Sequence, residues 1–361
     1  MFGVGGELLH ARVALATYAY RTMKVAFYDT KPYDHEFFDR EAKLRNIEMR
    51  FFPFRLDENS IPTAADYDAI CVFVNDTLNR ECLELLAEQG GDGKSLPLIA
   101  MRCAGFNNLD VKTASELGFP VVRVPAYSPH AVAEHAVALV QTLNRRIHRA
   151  YNRVRELNFS LNGLVGHDLH GKTAAILGTG RIGRLTAKIL RGYGMKLLAF
   201  DQYPNEEWAE ANEITYTSLE EIYPRADLIS LHLPLTKETD RLIDEEAIER
   251  MKPGVIIVNT SRGKLIRTSA LIQGLKERKI GGVALDVYEE EEGIFFEDLS
   301  YDILTDDQLA RLLTFPNVLV TSHQAFLTSE ALGEIARVTC ENLIRFTEEK
   351  DFLEGTEIRR S

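Results

Sequence analysis

One stretch, Thr173–Asp201 (TAAILGTGRIGRLTAKILRGYGMKLLAFD), constrains the fold of this 361-residue chain more than any other. An apolar, strand-like run leads into Gly178-Thr179-Gly180-Arg181-Ile182-Gly183. An amphipathic helical pattern follows, and then a second apolar run that ends on Asp201. Gly178 permits a tight turn, Gly180 lets a pyrophosphate approach the backbone, and Gly183 lets the helix lie close on the strand. Arg181 and Ile182 open the helix, where free N–H groups and the positive end of the dipole favour phosphate. Glycines alone would mark only a turn. Strand, loop, helix, strand and terminal acid in this order predict a Rossmann-type dinucleotide site. A carboxylate at Asp201 accepts from adenosine ribose hydroxyls and repels a 2′-phosphate. Gln202, Tyr203 and Pro204 bring no cation to welcome that phosphate. NAD(H) is therefore expected rather than NADP(H).

The chain is long enough for two domains, each with its own core. Its 54 acidic and 42 basic residues give a formal charge of −12, which argues against a nucleic-acid partner. Small anions are not excluded, since one arginine or one helix N-terminus can hold them. Cys71, Cys82, Cys103 and Cys340 are scattered without paired spacing, as in a reduced, cytoplasmic protein. No apolar run approaches the length of a membrane span, and no motif has metal-ligand spacing, so neither a membrane nor a metal is expected. Residues 1–22 differ from the rest. His10 and Arg12 interrupt their apolar stretch, a poor fit to a secretory signal, and a clean strand pattern begins at Met23. They are expected to be an N-terminal extension, disordered or derived from an expression vector.

Strand-like runs alternate with helical patterns, which predicts parallel α/β architecture. Strands are expected at Val25–Tyr28, Glu48–Phe52, Ala69–Val74, Leu98–Met101 and Val121–Val124, with helices at Asp34–Asn46 and Asn79–Gln89. The polar insert Gly90–Ser95 reads as a surface turn. Ser128 is a predicted N-cap and Pro129 a first helical residue. The helix they open is expected to be long, running through Val132, Leu139, Leu143 and Ile147 into the basic segment Arg145–Arg149. Such a helix would serve as hinge and subunit surface, so a homodimer or dimer of dimers is expected. Further strands are predicted at Leu228–His232, Val255–Asn259, Gly282–Asp286 and Val318–Thr321. The last helix, Ser329–Glu348, is expected to return to the N-terminal part.

Three segments beyond the glycine loop place reactive side chains at strand ends, where open α/β sheets bind ligands. Asn259–Gly263 presents Arg262, Asp286–Glu291 presents carboxylates, and Thr321–Phe326 presents His323. Together they suit reduction of a 2-keto acid beside a nicotinamide. Arg262 would hold the substrate carboxylate and polarise the ketone. His323 would supply the proton, since an imidazole ordinarily titrates near pH 6.5. A carboxylate beside it would orient the ring and favour imidazolium. The acids Glu289–Glu292 are consecutive, a run that ordinarily reads as a solvated loop. Glu291 is the expected partner, with its neighbours as alternatives. His135 reads as structural or interfacial, and His232 as lining the cofactor.

These residues fall in RCAGFNNLD (Arg102–Asp110), VPAYSPHAVAEHA (Val124–Ala136), GTGRIG, VNTSRG (Val258–Gly263), LDVYEEE (Leu285–Glu291) and SHQAFLT (Ser322–Thr328). Carrying this set, the chain resembles the D-isomer-specific 2-hydroxyacid dehydrogenases from Met23 to about Lys350. Phe295–Leu312 is similar to their fermentative bacterial D-lactate branch. The resemblance implies reversible, NADH-dependent reduction of pyruvate to D-lactate. It gives Arg262 the substrate carboxylate, Glu291 the pairing with histidine, and His323 the acid/base role. It places the amides of Ala104 and Gly105 on the substrate carboxylate with Tyr127 nearby, and Phe326 against the substrate side chain. Arg181 and Ile182 fall at the pyrophosphate, Thr260 with the cofactor, and Asp286 on the nicotinamide side. Phe51–Asp57 would act as a lid. The implied fold is α/β with two Rossmann-like domains. A doubly wound, parallel NAD-binding sheet would occupy 127–326, and a smaller flavodoxin-like substrate domain 23–126 and 327–361. The alternatives are a dehydrogenase for a larger 2-keto acid, or a non-catalytic NAD(H)-sensing protein like the corepressors that share this fold.

Overall fold

The computed structural model describes residues 22–89 and 96–359. Residues 1–21 and the insert Gly90–Ser95, read above as an extension and a surface turn, lie outside the described residues. Two parallel sheets organise what is described. The first contains β1 (Met23–Phe27), β2 (Ile47–Phe51), β3 (Ala69–Val72), β4 (Leu98–Met101) and β5 (Val121–Arg123), in the order β2-β1-β3-β4-β5. The second contains β6 (Thr173–Leu177), β7 (Lys196–Phe200), β8 (Ile214–Tyr216), β9 (Leu228–Leu231), β10 (Val255–Asn259), β11 (Ile280–Leu285) and β12 (Val318–Val320). Its order is β12-β11-β10-β9-β6-β7-β8. Strands such as β3 (AICV) and β4 (LIAM) are buried throughout, as expected where helices cover both faces of a parallel sheet. Among the described residues no helix is long and apolar enough to cross a membrane.

Strand order reverses between β1 and β3 in one sheet and between β6 and β9 in the other. Parallel α/β sheets open a ligand crevice at that point, beyond the carboxyl ends of the strands. The helix Ser329–Thr347 crosses back to pack on the helix Pro32–Arg45 and on β1, β4 and β5.

Several expected boundaries shift. β3 stops at Val72, because the Phe73 N–H turns to the Asp76 carboxylate (2.5 Å) instead of continuing the ladder. The helix expected to start at Asp34 starts at Pro32, with Asp34 Oδ2 accepting from Lys31 N at 2.8 Å, and ends where Asn46 turns left-handed. The larger correction is the long helix. It ends at Asn144, Arg146 takes a φ of 53°, and a separate helix runs over Ile147–Arg155. The cause is the chain returning across the helix end. Asn144 Nδ2 donates to His167 O at 2.8 Å and Asn144 Oδ1 accepts from His167 N at 2.9 Å. A Cβ on Gly166 would stand 2.5 Å from the Asn144 carbonyl oxygen, so only glycine fits the crossing.

The five-stranded unit has an ionic centre. Arg102, 2% exposed, donates from Nη2 to the Asp29 carbonyl at 2.8 Å and lies 3.7 Å from Asp34 Oδ2. Its guanidinium also covers the rings of Phe27 (4.3 Å) and Phe73 (4.8 Å). Burial pushes the Asp76 carboxyl up to about 6, against the pull of the Arg102 charge. Replacing Arg102 with Met would strand these acids without a counter-charge. Arg102→Met should therefore lose about 3–5 kcal/mol in urea unfolding, and an unchanged midpoint would show that the cluster is not stabilising.

Candidate active site

The cofactor side is built by close approach of backbone. Gly178 has a φ of 97°, and a Cβ there would stand 2.6 Å from the His232 carbonyl. A Cβ on Gly183 would lie 1.9 Å from the Gly178 oxygen. Gly180 differs, since nothing lies within 4 Å of where its Cβ would be. That open concavity stands at the start of the helix Arg181–Gly192, where the N–H groups of a first turn have no partner within the helix. At the end of β7, Asp201 Oδ2 accepts from Thr179 N (2.6 Å) and Thr179 Oγ1 (3.0 Å), and Oδ1 accepts from Tyr203 N (2.9 Å). The Thr179 hydroxyl is also 2.7 Å from the Tyr216 hydroxyl. Beyond β10, the buried Thr260 hydroxyl has no partner. An open glycine cradle, a preset carboxylate and an unmet buried hydroxyl fit a dinucleotide.

His232 follows β9, its Nε2 2.8 Å from Ser230 Oγ, and burial pushes its imidazole down to about 4. The unfolded chain takes up that proton near 6.5 and the folded chain only near 4. Stability contributed at neutral pH should thus drain away as pH falls through that window. His232→Gln should flatten that part of a urea-midpoint profile, and a slope equal to wild type would contradict the assignment.

The reactive edge combines four segments. After β10, Asn259 donates from Nδ2 to the Arg262 carbonyl at 2.8 Å and accepts at Oδ1 from Ser261 N at 3.0 Å, which sets the loop. Gly263 is obligatory, because a Cβ would lie 1.9 Å from the Tyr288 oxygen. Arg262 Nη1 donates to Ser261 O at 2.7 Å, and Nη2 lies 3.4 Å from where a Cβ on Gly105 would sit. The guanidinium of one unit therefore abuts the Ala104–Gly105 loop of the other. Arg123 braces that loop, donating to Ala104 O at 2.7 Å and lying over the Phe106 ring. Beside Arg262, burial pushes the Tyr127 hydroxyl up to about 12 while the guanidinium pulls it back. The Tyr127 ring meets Phe326 edge-on at 6.2 Å.

The acid run resolves into separate tasks. Glu291 Oε1 is 3.0 Å from His323 Nδ1, and its Oε2 accepts from Tyr288 N at 2.9 Å. Glu289 turns away to Arg241 Nε (3.0 Å) and Thr268 N (2.9 Å). His323 has a φ of 48°, and its N–H donates to the Asp286 carbonyl at 2.7 Å. The Asp286 side chain is fully buried. It accepts from the Thr321 hydroxyl, from Gln324 N and from Ala325 N, with His135 Nε2 3.3 Å away. Burial would raise its pKa, but the bonds from His135, Thr321 and Ala325 prevail and hold it below the usual carboxylate value.

The structure thus pairs Glu291 with His323, brings Arg262 to Gly105, and sets the Tyr127 ring against Phe326. Asp286 lies beneath the His323 segment. The glycine loop, Asp201 and Thr260 lie just beyond the carboxyl ends of β6, β7 and β10. Sequence reading missed Phe73 and Phe296, whose rings join this edge, and the His135–Asp286 contact. Phe296 stands in a segment that was conspicuous as a motif, but nothing local says that its ring returns to His323.

The fold and this constellation define a nicotinamide-dependent oxidoreductase of 2-hydroxy acids. Residues 137–325 match the NAD-binding domain of the D-isomer-specific 2-hydroxyacid dehydrogenases, and the chain belongs to that family. It is 51% identical to the D-lactate dehydrogenase of Escherichia coli over 321 residues, 89% of this chain and 96% of that enzyme. Superposed on the apo structure of that enzyme, it gives a TM-score of 0.83 at 46% identity, covering 93% of this chain and all of the other. A structure described as the pyruvate reductase of Chlamydomonas reinhardtii gives 0.87 at 40% identity, covering 92% and 98%. A D-lactate dehydrogenase from Aquifex aeolicus complexed with NAD and lactic acid gives 0.79 at 32%, covering 93% and 99%.

Proposed function

We propose that this protein is an NAD-dependent D-lactate dehydrogenase that reversibly reduces pyruvate. The single observation that carries the reading is the His323–Glu291 pair at 3.0 Å, and Arg262 beside the Ala104–Gly105 loop supplies the second half of the site. NAD(H), when bound, supplies or takes up the hydride. Gly178, Gly180, Arg181, Ile182 and Gly183 would hold its pyrophosphate and Asp201 its adenosine ribose. Thr260 and Asp286 serve the nicotinamide side, Asp286 chiefly through the His323 segment that it fixes.

The substrate carboxylate meets Arg262 and the amides at Ala104 and Gly105, which orient the keto group. Glu291 occupies Nδ1 of His323, so Nε2 is the nitrogen left to pass a proton to the ketone oxygen as it becomes an alkoxide. The carboxylate also fixes the orientation of the ring for that transfer. Phe326 crowds the substrate side chain, which favours a methyl group over a bulky one, and the Tyr127 hydroxyl stands near the substrate carboxylate.

In this reading residues 23–126 with 327–361 form the substrate domain and 127–326 the NAD-binding domain. Four buried free thiols support a reducing, cytoplasmic setting. The helix Ile147–Arg155 buries none of its residues, and Tyr151, Leu157, Phe159, Leu161 and Val165 on and beyond it are 60–79% exposed. So much apolar surface on one arm supports a homodimer or dimer of dimers. Leu157→Glu combined with Phe159→Glu should lower the mass found by sedimentation velocity to that of a smaller assembly, and an unchanged mass would remove the arm from the interface.

His323→Ala should cut kcat by about 10²–10⁴-fold while NADH still binds with near wild-type affinity. Glu291→Gln should lower kcat, because the His323 ring loses the carboxylate that orients it. Near-normal turnover by the histidine variant would take the proton-transfer role away from His323.

A further inference from the structure

Phe296 belongs to the segment that follows Glu291, within the chain of the seven-stranded unit. Yet its side chain packs against the cores of both units. Its ring centre is 5.8 Å from the His323 ring, tilted by 33°, and 5.3 Å from Phe73 in an edge-on arrangement. Phe73 lies 6.2 Å from Phe326, and Phe326 lies 6.2 Å from Tyr127. A continuous aromatic wall therefore runs from the imidazole to the tyrosine beside Arg262.

The backbone that carries Phe296 is held from several directions. Its N–H donates to Ser322 Oγ at 3.3 Å, and its carbonyl accepts from Lys31 Nζ at 3.4 Å. The Phe295 carbonyl accepts from Asn75 Nδ2 at 3.4 Å, and Glu297 pairs with Arg55. Three of these four ties cross between the units. Phe296 has a φ of 69°, a left-handed conformation that a bulky residue keeps only where its surroundings impose it. The ties aim one ring at the space between His323 and Phe73.

We infer that Phe296 sets the size limit of the substrate side-chain pocket, closing it around a methyl group and excluding branched or aromatic 2-keto acids. The inference rests on the reductase reading above. Because Lys31, Asn75 and Arg55 hold this segment from the five-stranded unit, the ring is set in place only as the two units come together. A bulky side chain in its place would keep Lys31, Asn75 and Arg55 from reaching their partners.

The test compares kcat/KM for phenylpyruvate and pyruvate, with NADH, in the wild type, Phe296→Leu and Phe296→Ala, alongside NADH affinity by fluorescence. The phenylpyruvate-to-pyruvate ratio should rise about ten-fold or more in the alanine variant and by less in the leucine variant, with NADH affinity unchanged. If the alanine variant does not fold, the leucine variant decides. An active wild type whose ratio is unaltered in the folded variants overturns the inference alone. A wild type that reduces neither acid overturns the reductase reading and the inference with it.

Discussion

The buried carboxylate of Asp286 is the joint on which the reactive edge depends. A charge with no exposure is costly unless every lone pair finds a donor. Here the donors are the Thr321 hydroxyl, the Gln324 and Ala325 amides and the His135 imidazole, three of them on the segment that carries His323. The Asp286 carbonyl adds a bond to the His323 amide. Satisfying this one acid therefore fixes the loop after β12 against the end of β11. The left-handed backbone at His323 is held by that cost, and the imidazole is delivered to Glu291.

The same economy links the two sheets. Each sheet has a reversal of strand order, and the chain segments beyond both meet at one cleft. Lys31 and Phe73 come from the first sheet, and Arg262, Phe296 and His323 from the second. No one unit contains a complete site. The Arg262 guanidinium needs the Gly105 loop, and the aromatic wall needs Phe73 of the first unit beside Phe296 of the second. Arg102, buried among Asp29, Asp34 and Asp76, stiffens the base of the loop that begins at Cys103.

Much of this was legible in the sequence where local chemistry dictates it. The glycine loop is readable because Gly178 and Gly183 tolerate no Cβ, and Asp201 because it ends an apolar strand. Arg262 and His323 follow strands that alternate with helices, so their side of the sheet follows from parallel topology. The Glu289–Glu292 run was not decidable from composition. What separates its members is a turn in which Tyr288 N bonds Glu291 while Thr268 N and Arg241 draw Glu289 away. The break after Asn144 was equally hidden, because helical spacing of Leu143 and Ile147 continues across it. Only the crossing of Gly166 and His167 ends the helix there. Phe296 was missed because its position depends on ties to residues more than two hundred positions away in the chain.

The most direct measurement is the stereochemistry of the product formed by the full-length protein from pyruvate and NADH, by chiral chromatography alongside loss of NADH absorbance. A site with Arg262, Glu291 and His323 in these roles should yield D-lactate, mole for mole with NADH oxidised. L-lactate, or NADH that binds and is never consumed, would contradict it.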